Sequence, residues 1–129
     1  MQALRLILIA GAGSFVGGAL RYATSIFICK PSSGFPLSTF LINIIGCLLI
    51  GVLYAYATLQ PMSTESKVLL TAGFCGGLTT FSTFAVETLE LLQNGNIAMF
   101  AAYLLLSVAS GITAVWCGMQ VVGLIISKI

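Results

Sequence analysis

The residues best equipped for chemistry lie together in Gly73-Phe74-Cys75-Gly76-Gly77-Leu78-Thr79-Thr80-Phe81-Ser82-Thr83-Phe84, in the middle of a long apolar stretch. Gly76 and Gly77 weaken a helix, and the neighbouring threonines and Ser82 offer hydroxyls that compete for its backbone. Irregular backbone at membrane depth survives where it is buried in protein or lines a wet cavity. There its carbonyls can coordinate a cation and its amides can face an anion. The segment is therefore read as a broken helix with a function. The alternative is an unbroken helix whose hydroxyls bond back to the preceding turn and whose glycines serve packing.

Other polar residues extend this theme. Phe81 and Phe84 are three apart and share a helix face. Such rings ordinarily pack or meet lipid, but their positive edges can help dehydrate and hold a small anion. Glu87 and Glu90 follow at steps of three, carrying that face toward a membrane interface. Asn43 lies one turn after Thr39 in a second apolar run, where a carboxamide needs partners from another helix, water or a ligand. An interhelical strut and a pore or binding role both fit it. Tyr103, Ser107, Ser110 and Thr113 form a helical stripe of hydroxyls able to replace an ion's water shell stepwise. Arg21 could snorkel to headgroups, anchor a loop or draw an anion into a vestibule.

Other chemistries are poorly supplied. There is no histidine and there are only three acidic residues, too few for a conventional acid–base or metallohydrolase centre. Cys29, Cys47, Cys75 and Cys117 match no zinc or redox spacing and read as small packing residues. A net charge of +2 is too small to imply nucleic-acid binding.

The elements that must position these groups are membrane helices. Only 6% of the 129 residues are charged, against roughly 25% in a soluble domain. No Asp, Glu, Lys or Arg occurs between Pro31 and Thr64, between Val68 and Val86, or between Leu91 and Ser127. A water-soluble surface so sparsely charged would be one apolar patch. The fold class expected is an all-α polytopic membrane protein, a single domain over 1–129 with spans at about 4–28, 36–59, 67–92 and 97–126. Each has the ~20 residues needed to cross the hydrocarbon layer, and the third is broken near mid-membrane. The first span superficially resembles a secretory signal, but it lacks a convincing cleavage site and is read as retained. Pro31, Gly34, Pro61 and Asn94-Gly95-Asn96 supply the turns.

Brief connections predict antiparallel sequence neighbours, with both termini on one side. Arg5, Lys67 and Lys128 then share the side of the termini, against Lys30 alone or Lys30 with Arg21 opposite. That bias mildly favours cytoplasmic termini and is also what insertion in both orientations would show. Gly13 and Gly17 form a GxxxG pair, and Ala10, Ser14 and Gly18 continue a small-residue face suited to close helix contact.

These residues resemble the bacterial fluoride channel family known as Fluc or CrcB. The central glycine–phenylalanine–threonine motif carries the resemblance most specifically. Gly17 through Arg21-Tyr22 also fits, as does Thr39 with Asn43 and Gly46, while Ser38 stands where the family usually has glycine. The resemblance covers essentially the whole chain. It implies an antiparallel dual-topology homodimer in the bacterial inner membrane, with two pores passing fluoride passively out of the cell. It also implies a central structural Na⁺ on the backbone carbonyls of Gly76 and Thr79. It places the fluoride path at Asn43, Phe81, Phe84, Tyr103, Ser107 and Ser110. Arg21, Thr39, Thr80, Ser82 and Glu87 become vestibule or supporting residues. Besides its own second copy and fluoride, lipid is the only partner implied.

Two other classes compete. A small proton-coupled multidrug-type exporter shares this length but needs a carboxylate inside the first span, which has no Asp or Glu. A non-transporting membrane scaffold would account for the glycine-rich first span and leave the polar stripe without a purpose.

Overall fold

The computed structural model describes residues 1–28 and 31–128, and helices are the only regular elements among them. Cys29 and Lys30, the latter expected to mark the side opposite the termini, lie outside the described residues. Four helices are long and apolar enough to cross a membrane: Gln2–Phe27, Leu37–Leu59, Thr64–Gln93 and Ile97–Ile126. The third begins three residues before the expected position because the Ser63 hydroxyl accepts the Ser66 amide at 3.1 Å. The fourth is capped by Asn96, whose side chain accepts the Met99 amide at 3.3 Å. These caps satisfy amides that a helix start would leave bare. Gly95, at φ 74°, makes the tight turn between the last two spans.

Glu87, near the end of the third span, meets Thr39 and Tyr103 near the starts of the second and fourth. The third span therefore runs antiparallel to both, as the short connections require. The most extensive packing, however, joins alternate spans: first with third, and second with fourth. Along the first pair the contacts advance together. Gly13 lies on Leu69 and Phe74, Gly17 on Phe74 and Leu78, so these two helices are parallel.

The small-residue face predicted in the first span is what permits this approach. A Cβ on Gly13 would strike the Leu69 carbonyl, and one on Gly17 the Phe74 carbonyl. Reciprocally, a Cβ on Gly77 would lie 2.6 Å from the Ser14 carbonyl and one on Gly73 2.9 Å from that of Ala10. Gly11 has open space and Gly18 nothing nearer than the Arg21 side chain. The second and fourth spans use the same device, with Gly51 against Val115 and Gly118 against Leu48. Where lipid competes equally for apolar surface, such backbone proximity maximises dispersion contact.

Very little is buried. The accessible surface is 8147 Å², against roughly 6,500 Å² for a compact soluble monomer of 13.5 kDa. Ile7, Phe15, Tyr54, Leu105, Ile112 and Trp116 all point outward. In water this would be an aggregation hazard; in a bilayer it is a lipid-facing surface. The chain is a multi-pass membrane protein.

Gly17→Ala should lower stability by about 1–3 kcal/mol through overpacking, whereas Gly11→Ala should be neutral or slightly stabilising. Thermal unfolding in detergent measures both, and equal effects would contradict the packing described.

Candidate functional site

The third span is helical from Thr64 to Leu78 and again from Phe81 to Gln93, with Thr79 and Thr80 extended between. The expected break is present, but it falls after the glycine pair. Gly76 keeps helical angles of φ −63°, ψ −36°, while Thr79 (ψ 157°) and Thr80 (ψ 121°) leave the helix. The threonines can do this because each supplies its own cap. The Thr79 hydroxyl donates to the Cys75 carbonyl at 3.0 Å. The Thr80 hydroxyl oxygen accepts the Thr83 amide at 3.2 Å and opens the next helix. The turns before the break, Leu69–Cys75, are wound as a π-helix, a form that often accompanies functional sites.

The second span holds the break through one stripe, Thr39, Asn43 and Gly46. Asn43 spans the gap at two points: its Nδ2 donates to the Thr80 carbonyl at 3.0 Å, and its Oδ1 accepts the Thr80 amide at 2.8 Å. One turn earlier, the Thr39 hydroxyl donates to Glu87 Oε1 at 2.9 Å. One turn later, Gly46 makes room for the Thr79 methyl group. Of the two roles open to Asn43, the interhelical strut is thus realised. One of its two amide N–H groups is committed to Thr80.

These bonds divert donors from other groups. An unbroken helix would give the Thr80 amide to the Gly76 carbonyl and the Thr83 amide to that of Thr79. The first instead goes to Asn43 and the second to the Thr80 hydroxyl. Gly76 and Thr79 both line a cleft of ≈ 440 Å³ on the outer face of the break. Among the described residues no group of three His, Cys, Asp or Glu side chains could hold a metal. Any cation here would have to rely on backbone and hydroxyl oxygens.

The same cleft is lined by Asn43, Phe81, Phe84 and Ser107, together with the thiols Cys47 and Cys75. The Phe81 and Phe84 rings are 5.9 Å apart and tilted by 43°. Phe84 leans on Tyr103 at 5.1 Å, and Phe35 meets Tyr103 edge-on at 5.3 Å. Phe81 is 79% exposed. The Ser107 hydroxyl is buried and has no hydrogen-bond partner, an arrangement rare for a hydroxyl in a folded chain.

A second cleft of ≈ 200 Å³ lies on the other side of Thr80, which lines both. Arg21, Ser38, Thr39 and Thr83 contribute to it. Arg21 points inward, its Nε donating to the Gly77 carbonyl at 3.0 Å. One helical stretch earlier, the Ser14 hydroxyl donates to the Gly73 carbonyl at 3.2 Å.

The residues singled out from sequence therefore converge on the break, with some division. Tyr103, fully buried, donates its hydroxyl to Glu87 Oε2 at 2.8 Å, beside the cleft. Ser82 sits 3.4 Å from the Thr80 hydroxyl on an exposed face. Ser110 and Thr113 turn back to the Leu106 and Ala109 carbonyls and do not line either cleft. Ser14 and Phe35 were missed as contributors. Ser14 was visible only as part of a small-residue face, and Phe35 lies in a turn whose aromatic contact depends on the tertiary fold.

Asn43→Ala removes both bridging bonds and should destabilise the protein by about 1–3 kcal/mol. Asn43→Asp keeps an acceptor for the Thr80 amide and should lose less. Unfolding midpoints in detergent would show the ranking, and an unaffected alanine variant would contradict the bridge.

Residues 8–119 match the family model described as CrcB-like protein, Camphor Resistance (CrcB). A relative from Chlorobium phaeobacteroides is 40% identical over 119 residues, covering 92% of both chains. One from Clostridium perfringens is 43% identical over 122 residues, covering 93% of this chain and 95% of its own. Another, from Pseudomonas fluorescens, is 43% identical over 117 residues, covering 89% and 94%. All three carry the name Fluoride-specific ion channel FluC. With a family model spanning most of the chain and relatives similar along nearly their full lengths, this four-span protein belongs to the CrcB-like family.

Proposed function

We propose that this protein is a fluoride-selective channel, passing fluoride out of the cell down its electrochemical gradient across the inner membrane. The observation that carries this reading is the buried, unpartnered Ser107 hydroxyl in a cleft walled by Phe81 and Phe84. A hydroxyl donor and positive ring edges suit a small anion that must shed water. The second Asn43 N–H adds a donor on the same cleft. The names of the similar proteins point the same way. No substrate bond is made or broken; the chain has only to replace hydration step by step.

The working unit in this reading is an antiparallel homodimer. Phe81 and the cleft lie open on one chain, and a second copy would wall both. The small Lys/Arg asymmetry between the two sides suits a chain that inserts both ways. Gly76 and Thr79 fit a structural Na⁺ at the dimer centre, because the break turns their usual amide donors elsewhere. A Cβ on Gly76 would meet nothing nearer than the Thr71 carbonyl at 3.8 Å, so its glycine keeps that face clear without being needed for packing within the chain. The two-fold related pair would complete a four-carbonyl site. Na⁺ bound there would offset the bare carbonyls and supply positive charge near the anion path. Thr39, Tyr103 and Glu87 act as a hydrogen-bonded support for the aromatic wall, while Arg21, Thr83 and Ser38 form a polar vestibule.

Purified protein in liposomes loaded with fluoride or chloride tests the reading. Fluoride should leave much faster than chloride; no fluoride flux would overturn the channel, and equal chloride flux its selectivity. Ser107→Ala gives a sharper expectation. Removing a hydroxyl that has no partner should leave stability unchanged or raised, while fluoride flux falls by roughly tenfold or more, as expected for a lost transition-route hydrogen bond of ~1.4 kcal/mol. Unchanged flux would remove Ser107 from the path. Phe84→Ile should likewise cut flux more than stability.

A further inference from the structure

The break leaves one more carbonyl to be satisfied, that of Gly77. In a continuous helix its donor would be the Phe81 amide, four residues on. Phe81 begins the second half-helix after two extended residues, so that donor belongs to a different segment. Arg21 Nε stands 3.0 Å from the Gly77 oxygen instead. The first span is held against this turn by backbone contact at Gly17 and Gly77, so the arginine stem departs from a fixed base. Among the described residues the ion pair present is Arg5–Glu65, at the end of the bundle near the termini. Arg21 is therefore placed by a carbonyl and not by a carboxylate.

We infer that Arg21 is a positioning residue whose Nε–H replaces the Phe81 amide at the end of the first half-helix. Through Gly77 it fixes the turn carrying the Gly76 and Thr79 carbonyls. A cation at a helix C-terminus is favourable in its own right, but the bond, and not long-range attraction of the anion, is the function assigned here. This inference rests on the channel reading above for its flux measurement and on the fold alone for its exchange measurement.

Side-chain length separates the two roles. Glutamine carries an N–H at the position of the arginine Nε without a charge; lysine has a methylene there and keeps the charge one atom further out. Arg21→Gln and Arg21→Lys would be reconstituted and fluoride efflux measured over a range of fluoride concentrations. Amide hydrogen exchange of the detergent-solubilised protein would be followed across residues 76–83. Positioning predicts that Arg21→Gln keeps the maximal rate within about twofold and the wild-type exchange pattern. Arg21→Lys should lose roughly tenfold in maximal rate, with faster exchange at the break and an unchanged half-saturating fluoride concentration.

The opposite ranking, with lysine active and glutamine raising the half-saturating concentration, would overturn the inference in favour of anion attraction. Equal loss or equal retention in both variants would also overturn it. If Arg21→Lys does not fold, the glutamine variant decides: wild-type behaviour supports the bond, and impaired behaviour refutes it. Should the wild-type protein pass no fluoride, the channel reading fails, and the exchange patterns still decide the role of Arg21.

Discussion

Inside hydrocarbon a backbone amide or carbonyl has no water to bond, and leaving one bare costs several kcal/mol, of order. The extended pair Thr79–Thr80 removes a turn's worth of helical partners at that depth. Everything distinctive in this fold replaces them. Asn43 takes the Thr80 amide and carbonyl, the two threonine hydroxyls cap the ends they face, and Arg21 reaches the Gly77 carbonyl. Three separate elements thus contribute to one irregular turn. What remains, the carbonyls of Gly76 and Thr79, borders an open cleft that also holds an unpartnered serine.

Such replacements need short distances, and glycine provides them. The first span lies backbone to backbone on the third, and the second on the fourth. That closeness lets the short Ser14 side chain bond directly to the third span's main chain, while Gly46, by making room for the Thr79 methyl group, lets Asn43 reach Thr80. Packing and polar satisfaction are therefore one problem here. The buried core can be small because the surface faces lipid, and the polar turn specifies how the helices register.

Much of this was legible before any coordinates. Four apolar runs punctuated by Pro31, Pro61 and Gly95 mark the spans, because hydropathy and helix breaking act locally. The position of the break was less legible. A glycine pair looks like the weak point of a helix, yet Gly77 serves close approach to Ser14 and Gly76 stays helical. The departure comes at threonines whose own hydroxyls and an Asn43 partner stabilise it, and Asn43 is 37 residues away in sequence. Likewise a stripe of Tyr103, Ser107, Ser110 and Thr113 has one spacing but several fates. Ser110 and Thr113 bond back to their own helix, Tyr103 binds Glu87, and Ser107 alone stays unpaired. Periodicity assigns a face; it does not say which hydroxyls a neighbour will claim. The pairing of alternate spans was similarly hidden, since short loops constrain direction and not which helix lies nearest.

The proposal on which the rest turns is that the break presents the Gly76 and Thr79 carbonyls to a cation on which a fluoride path depends. Fluoride efflux from liposomes prepared with Na⁺ on both sides, compared with liposomes in which a large organic cation replaces it, measures this directly. Flux that falls when Na⁺ is withdrawn and returns when it is restored is the expected result. Rapid fluoride flux wholly indifferent to the exchange would mean that the carbonyls of Gly76 and Thr79 serve no cation, and would contradict the account.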